Sequence, residues 1–258
     1  MAKDEAALAA LPDPKVRALL TRLHRQADRE RPLLLWQFLD QLPRLALGRN
    51  IPWDRFGHRL DDKFICLDRG QGVFCYLLAR SLGARRIVEF GTSFGVSTIY
   101  LALAVRENGG GQVIGTEMVP SKAARAREHL REAELLDFVE IREGDATETL
   151  RDLEAPVDLL LCDGFPPAML PVLKLVAPRM RPSGVVVSDN VGAFWGDHRD
   201  FLSWVRDPAN GFQSAMFAMK WGTELSVKLP PAKSSANTAH MESTSTRSPQ
   251  GESDWRSS

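Results

Sequence analysis

Asp163 and Asp189 each close a run of apolar residues, Val157 to Cys162 (Asp158 apart) and Val185 to Val187 with Ser188, and Asn190 follows the second aspartate. Such runs suit strands buried on both faces of a sheet, which puts the polar residues at the strand ends. Two carboxylates brought close together repel, and one stays protonated unless a cation lies between them. With the amide oxygen of Asn190 they make a donor set for Mg²⁺ or another hard divalent ion. Asp189 and Asn190 could equally form a turn, leaving Asp163 to hold a cofactor alone. Upstream, Arg86-Ile-Val-Glu-Phe-Gly-Thr-Ser-Phe-Gly-Val-Ser-Thr98 starts as a buried strand, turns at Gly91 and opens a helix near Ser97. Glycines let backbone pass close to a ligand where a Cβ would collide, and the helix start offers amides to an anionic group. Strand, glycine turn and helix start meet at one spot, a cofactor pocket in an α/β sheet.

Two further acids stand where ligands are held. Glu117 ends the apolar stretch Val113-Ile114-Gly115 and can accept both hydroxyls of a ribose. The competing role is an acidic residue ahead of the helix after Pro120. Asp145, in Glu143-Gly144-Asp145-Ala146, can cap the helix expected over 147–153.

The elements that position these residues read as an alternation of strands and helices. Val16, Leu19, Leu20 and Leu23 repeat at helical spacing over 14–30, and Pro32 is expected to restart a second helix carrying Leu34, Leu35, Phe38, Leu39 and Leu42. These helices would pack on the sheet or on a twin subunit, or form a lid. Residues 47–68 bring Trp53, Phe56, His58 and Phe64, aromatic content typical of a pocket wall; His58 reads as a surface residue. A helix then leads to Gly83 as its C-terminal stop. Further helices are expected over 97–106, 121–135, 170–176 and 201–205, a third strand over 139–142, and a hairpin of strands 212–219 and 223–229 around Lys220-Trp221-Gly222. Trp195 and Trp221 suit hairpin or core packing, or a pocket wall.

The glycine spacing Gly91-x-x-x-Gly95 fails the Gly-x-Gly-x-x-Gly of dinucleotide folds. With Glu89 ahead of it and Ser97 after it, it resembles motif I of class I S-adenosylmethionine-dependent methyltransferases, in the form of the catechol and caffeoyl-CoA O-methyltransferase group. The order of glycine loop, acidic strand tip and Gly-Asp-Ala extends the resemblance over roughly residues 68–229. It implies a Rossmann-like α/β fold with seven strands in the order 3-2-1-4-5-7-6, helices on both faces and extra N-terminal helices. The division would be 1–67 for the N-terminal helices and acceptor-side loop, 68–230 for the S-adenosylmethionine-binding domain, and 231–258 for a disordered tail rich in Ser, Thr, Pro and charge.

That strand order makes strands four and five neighbours, with tips about 5 Å apart, so Asp163 and Asp189 would face each other. The resemblance assigns Gly91, Gly95 and Ser97 to the methionine end of S-adenosylmethionine, with Glu89 supporting the loop. It assigns Glu117 to the ribose, Asp145 and Ala146 to the adenine, and Asp163, Asp189 and Asn190 to Mg²⁺ or another divalent cation. Asp163 would also lie by the cofactor's amino group. The implied reaction is methyl transfer to a hydroxyl of a small molecule, with the metal lowering the hydroxyl's pKa. One departure is plain: the lysine that follows the first aspartate in that family is absent from Asp163-Gly-Phe-Pro-Pro167. Lys63 and His198 are loop candidates for a base, and Lys174 lies on the next helix. A protein that binds S-adenosylmethionine with lost or metal-independent activity is the alternative.

Lys plus Arg and Asp plus Glu both number 33, so no net charge drives nucleic-acid or membrane binding. The three cysteines, Cys66, Cys75 and Cys162, form no C-x-x-C pair and read as reduced thiols. There is no apolar run of membrane-span length, and the first residues lack a signal-peptide pattern; a cytoplasmic protein is expected. The resemblance also implies a homodimer through the N-terminal helices.

Overall fold

The computed structural model describes residues 6–47, 49–192 and 195–231, with only the backbone of residue 195. The expected tail, from residue 232 onward, and the side chain of Trp195 lie outside the described residues. The strands are β1 Arg86–Phe90, β2 Gln112–Glu117, β3 Val139–Glu143, β4 Val157–Cys162, β5 Met180–Ser188, β6 Phe212–Phe217 and β7 Thr223–Lys228. They form one sheet in the order β3-β2-β1-β4-β5-β7-β6, the order expected. β1 to β5 pair in parallel, and β7 runs antiparallel to both β5 and β6.

The helices are α1 Pro14–Gln37, α2 Leu42–Ala46, α3 Trp53–Phe56, α4 Arg69–Ser81, α5 Val96–Glu107, α6 Pro120–Glu132, α7 Ala146–Thr149, α8 Pro166–Val176 and α9 Trp195–Arg206. Successive strand residues point to opposite faces, so each central strand feeds two cores. Ile87, Leu159, Leu161 and Val187 join the core under α1, α4 and α5. Val88, Leu160, Cys162 and Val186 join the one under α8 and α9. α5 is buried from Val96 to Val105. A helix apolar on all sides can lie only in an interior, and α5 lies between the sheet and the outer helices α1 and α4.

Several boundaries differ from those expected. Pro32 does not restart a helix; it lies inside α1. Pro32 and Asp28 are both exposed, so the carbonyl that loses its partner to the proline sits at the wet surface, where water can replace the lost bond. Of the stripe expected after it, Leu34 and Phe38 pack against Ile51, Phe56 and Leu60, whereas Leu35, Leu39 and Leu42 stay exposed. The helix expected over 121–135 ends at Glu132, and Glu134 has left-handed φ 56°. The helix expected over 147–153 is the single turn α7, and the one expected at 201 starts at Trp195. Both hairpin strands stop a residue or two early, at Phe217 and Lys228. Gly83 does end α4, with φ 57°. Among the described residues no helix is long and apolar enough to cross a membrane.

Candidate active site at the carboxyl ends of the strands

The glycine turn after β1 is shaped by the protein's own backbone. Gly91 has φ 97°, and a Cβ there would lie 2.7 Å from the Asp163 carbonyl oxygen. Gly95 has φ 80°, and its Cβ would lie 3.0 Å from that of Ala126. The expected close approach is therefore real, but its partners are the end of β4 and helix α6. Asp163 N–H donates to the Phe90 carbonyl at 2.9 Å, which fixes the start of the next loop against the same turn.

Glu89 lies beneath this turn, fully buried. Its Oε2 accepts from Thr92 Oγ1 at 2.8 Å and Thr98 Oγ1 at 2.5 Å, while Oε1 has no partner. Burial lifts its carboxyl above the usual range, the neighbouring hydroxyls, Ser97 among them, pulling the other way. Ser93 Oγ, in the turn, and Ser188 Oγ, at the end of β5, are likewise buried without partners. Leaving such atoms unpaired is costly, and a polar ligand between the strand ends would relieve that cost. This donor and acceptor set fits a polar, amine-bearing cofactor.

Glu117 ends β2, as expected. Its Oε2 accepts from Ser93 N–H at 2.7 Å and its Oε1 from Val119 N–H at 2.8 Å. It thus joins the glycine turn to the start of α6, and each oxygen keeps a second lone pair for a hydroxyl. Asp145 caps α7: Oδ1 accepts from the N–H and the hydroxyl of Thr147, both at 2.8 Å. Ala146, next to it, is buried.

Cys162 and Ser188 are register partners on β4 and β5, so Asp163 and Asp189 leave adjacent strands side by side. Burial, then the charge of Asp189, pushes the Asp163 carboxyl well above the usual carboxylate range. Burial lifts Asp189 too, opposed by Lys220 and by hydrogen bonds. Gln71 Nε2 donates to Asp189 Oδ1, and Asn190 Nδ2 donates to Oδ2 at 2.8 Å. Asn190 holds φ 57°. Two carboxylates and the amide oxygen of Asn190 on neighbouring strand ends are the donor types that a hard divalent ion takes. Among the described residues there is no cluster of three or more His, Cys, Asp or Glu side chains arranged to hold a metal.

The candidate bases have local surroundings of their own. Lys63 pairs with Asp62 at 2.7 Å, Lys174 lies over the Trp204 ring at 5.9 Å, and His198 is buried in α9. The cation whose charge acts on both Asp163 and Asp189 is Lys220, in the turn between β6 and β7. Sequence reasoning missed it, because hairpin turns are usually solvated and the fastening of this one to the site is a long-range fact. Gln71 was missed for the same reason. The 47–68 segment does reach the site: Trp53 meets the half-exposed Phe165 with ring centroids 5.4 Å apart, and a Cβ at Gly57 would lie 3.3 Å from Phe165. His58 pairs with Asp61 at 3.2 Å on the surface, as expected. A hollow lined by Met180, Pro182, Pro208 and Lys228 lies at the opposite end of β5 and holds none of these groups.

Residues 88–191 match a family model described as a methyltransferase domain. A catechol O-methyltransferase from Niastella koreensis is 34% identical over 131 residues, covering 49% of this chain and 58% of that protein. A catechol O-methyltransferase from Mycobacterium tuberculosis is 36% identical over 128 residues, covering 49% and 57%. The chain thus spans less than two thirds of the length of these curated relatives. Among solved structures, the O-methyltransferase TomG from Streptomyces achromogenes, involved in tomaymycin synthesis and solved with SAM, is 27% identical. It has a TM-score of 0.59 and covers 67% of this chain and 86% of its own.

Proposed function

We infer that this chain, which carries a class I S-adenosylmethionine-dependent methyltransferase domain on a seven-stranded sheet, transfers a methyl group to a hydroxyl of a small molecule. The observation that supports the reading is the set of acids at the carboxyl ends of β1, β4 and β5: Glu89 and Asp189 are buried and Asp163 half-buried, with Asp163 packed against the glycine turn and Asp189 on the neighbouring strand end. S-adenosylmethionine, when bound, supplies an electrophilic methyl on a sulfonium. Gly91, Gly95 and Ser97 shape the end of the cleft that takes its methionine part, with Glu89 Oε1 as the acceptor for its polar end. Glu117 takes the ribose, and Asp145 with Ala146 borders the adenine. Asp163 would serve both halves of the site, by the cofactor's amino group and on the acceptor side.

The acceptor side is built from Asp163, Asp189 and Asn190. These residues would hold Mg²⁺ or another divalent ion, whose chemistry there is to lower the pKa of a hydroxyl. The chain's own part is alignment and charge: Phe165 and Trp53 wall the approach, and the acids fix where positive charge can reside. We further infer that two copies pair across the exposed apolar residues of α1 and α2.

The reading is tested by calorimetry with S-adenosylhomocysteine and by labelled methyl transfer to catechols and sugar hydroxyls, with Mg²⁺ and with EDTA. Binding without transfer to any acceptor would leave only a cofactor-binding protein; no heat with S-adenosylhomocysteine would end the account. Glu117→Ala is expected to weaken S-adenosylhomocysteine binding by roughly ten-fold or more, the scale of a lost charge-assisted hydrogen bond pair. Asp189→Ala is expected to spare that binding and abolish turnover.

A further inference from the structure

Residues 51–64 cross the carboxyl edge of the sheet from the β5 side to the β2 side, and they are fastened along the way. Ile51 N–H donates to Asp197 Oδ1, in the helix that follows β5, at 3.2 Å. Trp53 and Gly57 meet Phe165, which follows β4. Lys122, in the helix that follows β2, donates from Nζ to the Leu60 carbonyl at 2.8 Å. Phe64 stacks on Phe94, inside the glycine turn after β1, with ring centroids 4.6 Å apart and planes 11° from parallel.

Lys122 is the unusual member of this set. It is 6% exposed and stands in the first turn of α6, where the positive end of the helix disfavours a cation. Burying its ammonium opposes folding, and a methionine of similar length would not. The Leu60 carbonyl does not depend on it either, since Lys63 N–H also donates there at 3.1 Å. What Lys122 reaches is the glycine turn: its Nζ lies 5.7 Å from the Phe94 ring centroid, within cation–π range. Further along α6, Ala126 packs against Gly95, and His129 Nδ1 donates to the Phe94 carbonyl at 2.9 Å. Lys122 thus ties residues 51–64 to the helix that already holds the glycine turn.

We propose that Lys122 is a positioning residue that latches residues 51–64 as a strap over the glycine turn and so retains the bound cofactor, a role that rests on the methyl-transfer reading. Ligands of such sheets sit at the carboxyl edge. A cofactor seated between the glycine turn and Asp163 then lies under the strap and leaves when the strap lifts. Lifting it breaks a hydrogen bond from a charged donor, which shifts the opening equilibrium by about ten-fold or more. Lys122 acts through the strap and needs no contact with the cofactor itself.

The test compares the wild type with Lys122→Met. Labelled S-adenosylhomocysteine, chased with unlabelled ligand, should leave the variant about ten-fold faster. The amides of residues 63–65 donate to Leu60, Glu30 and Lys63, and their hydrogen exchange should quicken by a similar factor while β1 and β4 keep wild-type rates. A lysine with a merely structural role would quicken all of them together. In the wild type, bound S-adenosylhomocysteine should slow exchange at 63–65, a measurement that needs no variant to fold. Unchanged dissociation from Lys122→Met, equal acceleration in β1 and β4, or no slowing of 63–65 by bound ligand overturns the proposal. Binding with unchanged dissociation removes the latch and leaves methyl transfer standing. No binding by the wild type removes methyl transfer, and exchange at 63–65 in Lys122→Met then judges the latch by itself.

Discussion

His24 lies in the core at 2% exposure, with Nε2 2.9 Å from the Tyr100 hydroxyl. Burial, with the Arg69 charge beside it, lowers its pKa from 6.5 to about 4. The folded protein therefore holds this ring neutral where the unfolded chain would protonate it. Its contribution is fully present above pH 6.5 and is lost as pH falls towards about 4, up to about 3 kcal/mol. His24→Gln, which keeps a polar partner for Tyr100, is expected to flatten the acid side of a melting-temperature profile between those values. An unchanged slope would mean that the histidine is already protonated in the fold. The acids at the strand ends act in the opposite direction, since raised carboxyl pKa values favour the fold at low pH, so the comparison must be made between variants at matched pH. Most of the acids were legible as single residues because each ends an apolar run: Glu117, Asp163 and Asp189 all stand where a buried strand meets water. Lys220 and Gln71 were not, since neither carries a local pattern and only folding brings them to Asp189.

At the scale of elements, the continuous apolar runs of β1, β4 and β5 were readable as strands buried on both faces, and the order of the sheet came from the family resemblance. Helix ends were the weaker part. Pro32 is a helix breaker by local rules, but exposure of Asp28 and Pro32 lets α1 run on to Gln37. Glu134 ends α6 through its backbone conformation, which no residue preference announced. The glycine turn was found, but for an incomplete reason: what Gly91 makes room for is the backbone of Asp163. Gly91→Ala therefore forces both a left-handed alanine and a clash with a neighbouring strand end. A loss of about 2–4 kcal/mol is expected, with S-adenosylhomocysteine binding lost even in the molecules that still fold. Chemical denaturation and calorimetry on one preparation check both halves. Wild-type stability with intact binding would show that β4 can move away.

At the scale of the whole molecule, the N-terminal helices present an exposed apolar surface. Leu33, Leu35, Trp36, Leu39, Leu42 and Leu47 are each at least half exposed, between 50% and 74%, and all lie within α1, α2 and the turns beside them. These residues are the surface across which the proposed pairing of two copies would form. Paired copies would bury it. Light scattering is expected to give about twice the 28.7 kDa chain mass, and Trp36→Glu to shift the protein towards single chains. A wild type that runs as a single chain at all concentrations would refute the pairing.

Gln71 has one consequence for how the molecule responds as a unit. Its amide oxygen accepts from Asp68 N–H at 3.4 Å, closing the cap of α4, while its nitrogen serves Asp189 and Thr223. The first turn of that helix is in effect bolted to the tips of two strands far along the chain. A hard ion on Asp189 draws electron density from the oxygen that Gln71 serves and so weakens that bolt. Backbone amides of 69–72 should then exchange with deuterated solvent faster when Mg²⁺ is added, although none of them touches the ion, making the helix start a built-in reporter of what the strand tips hold.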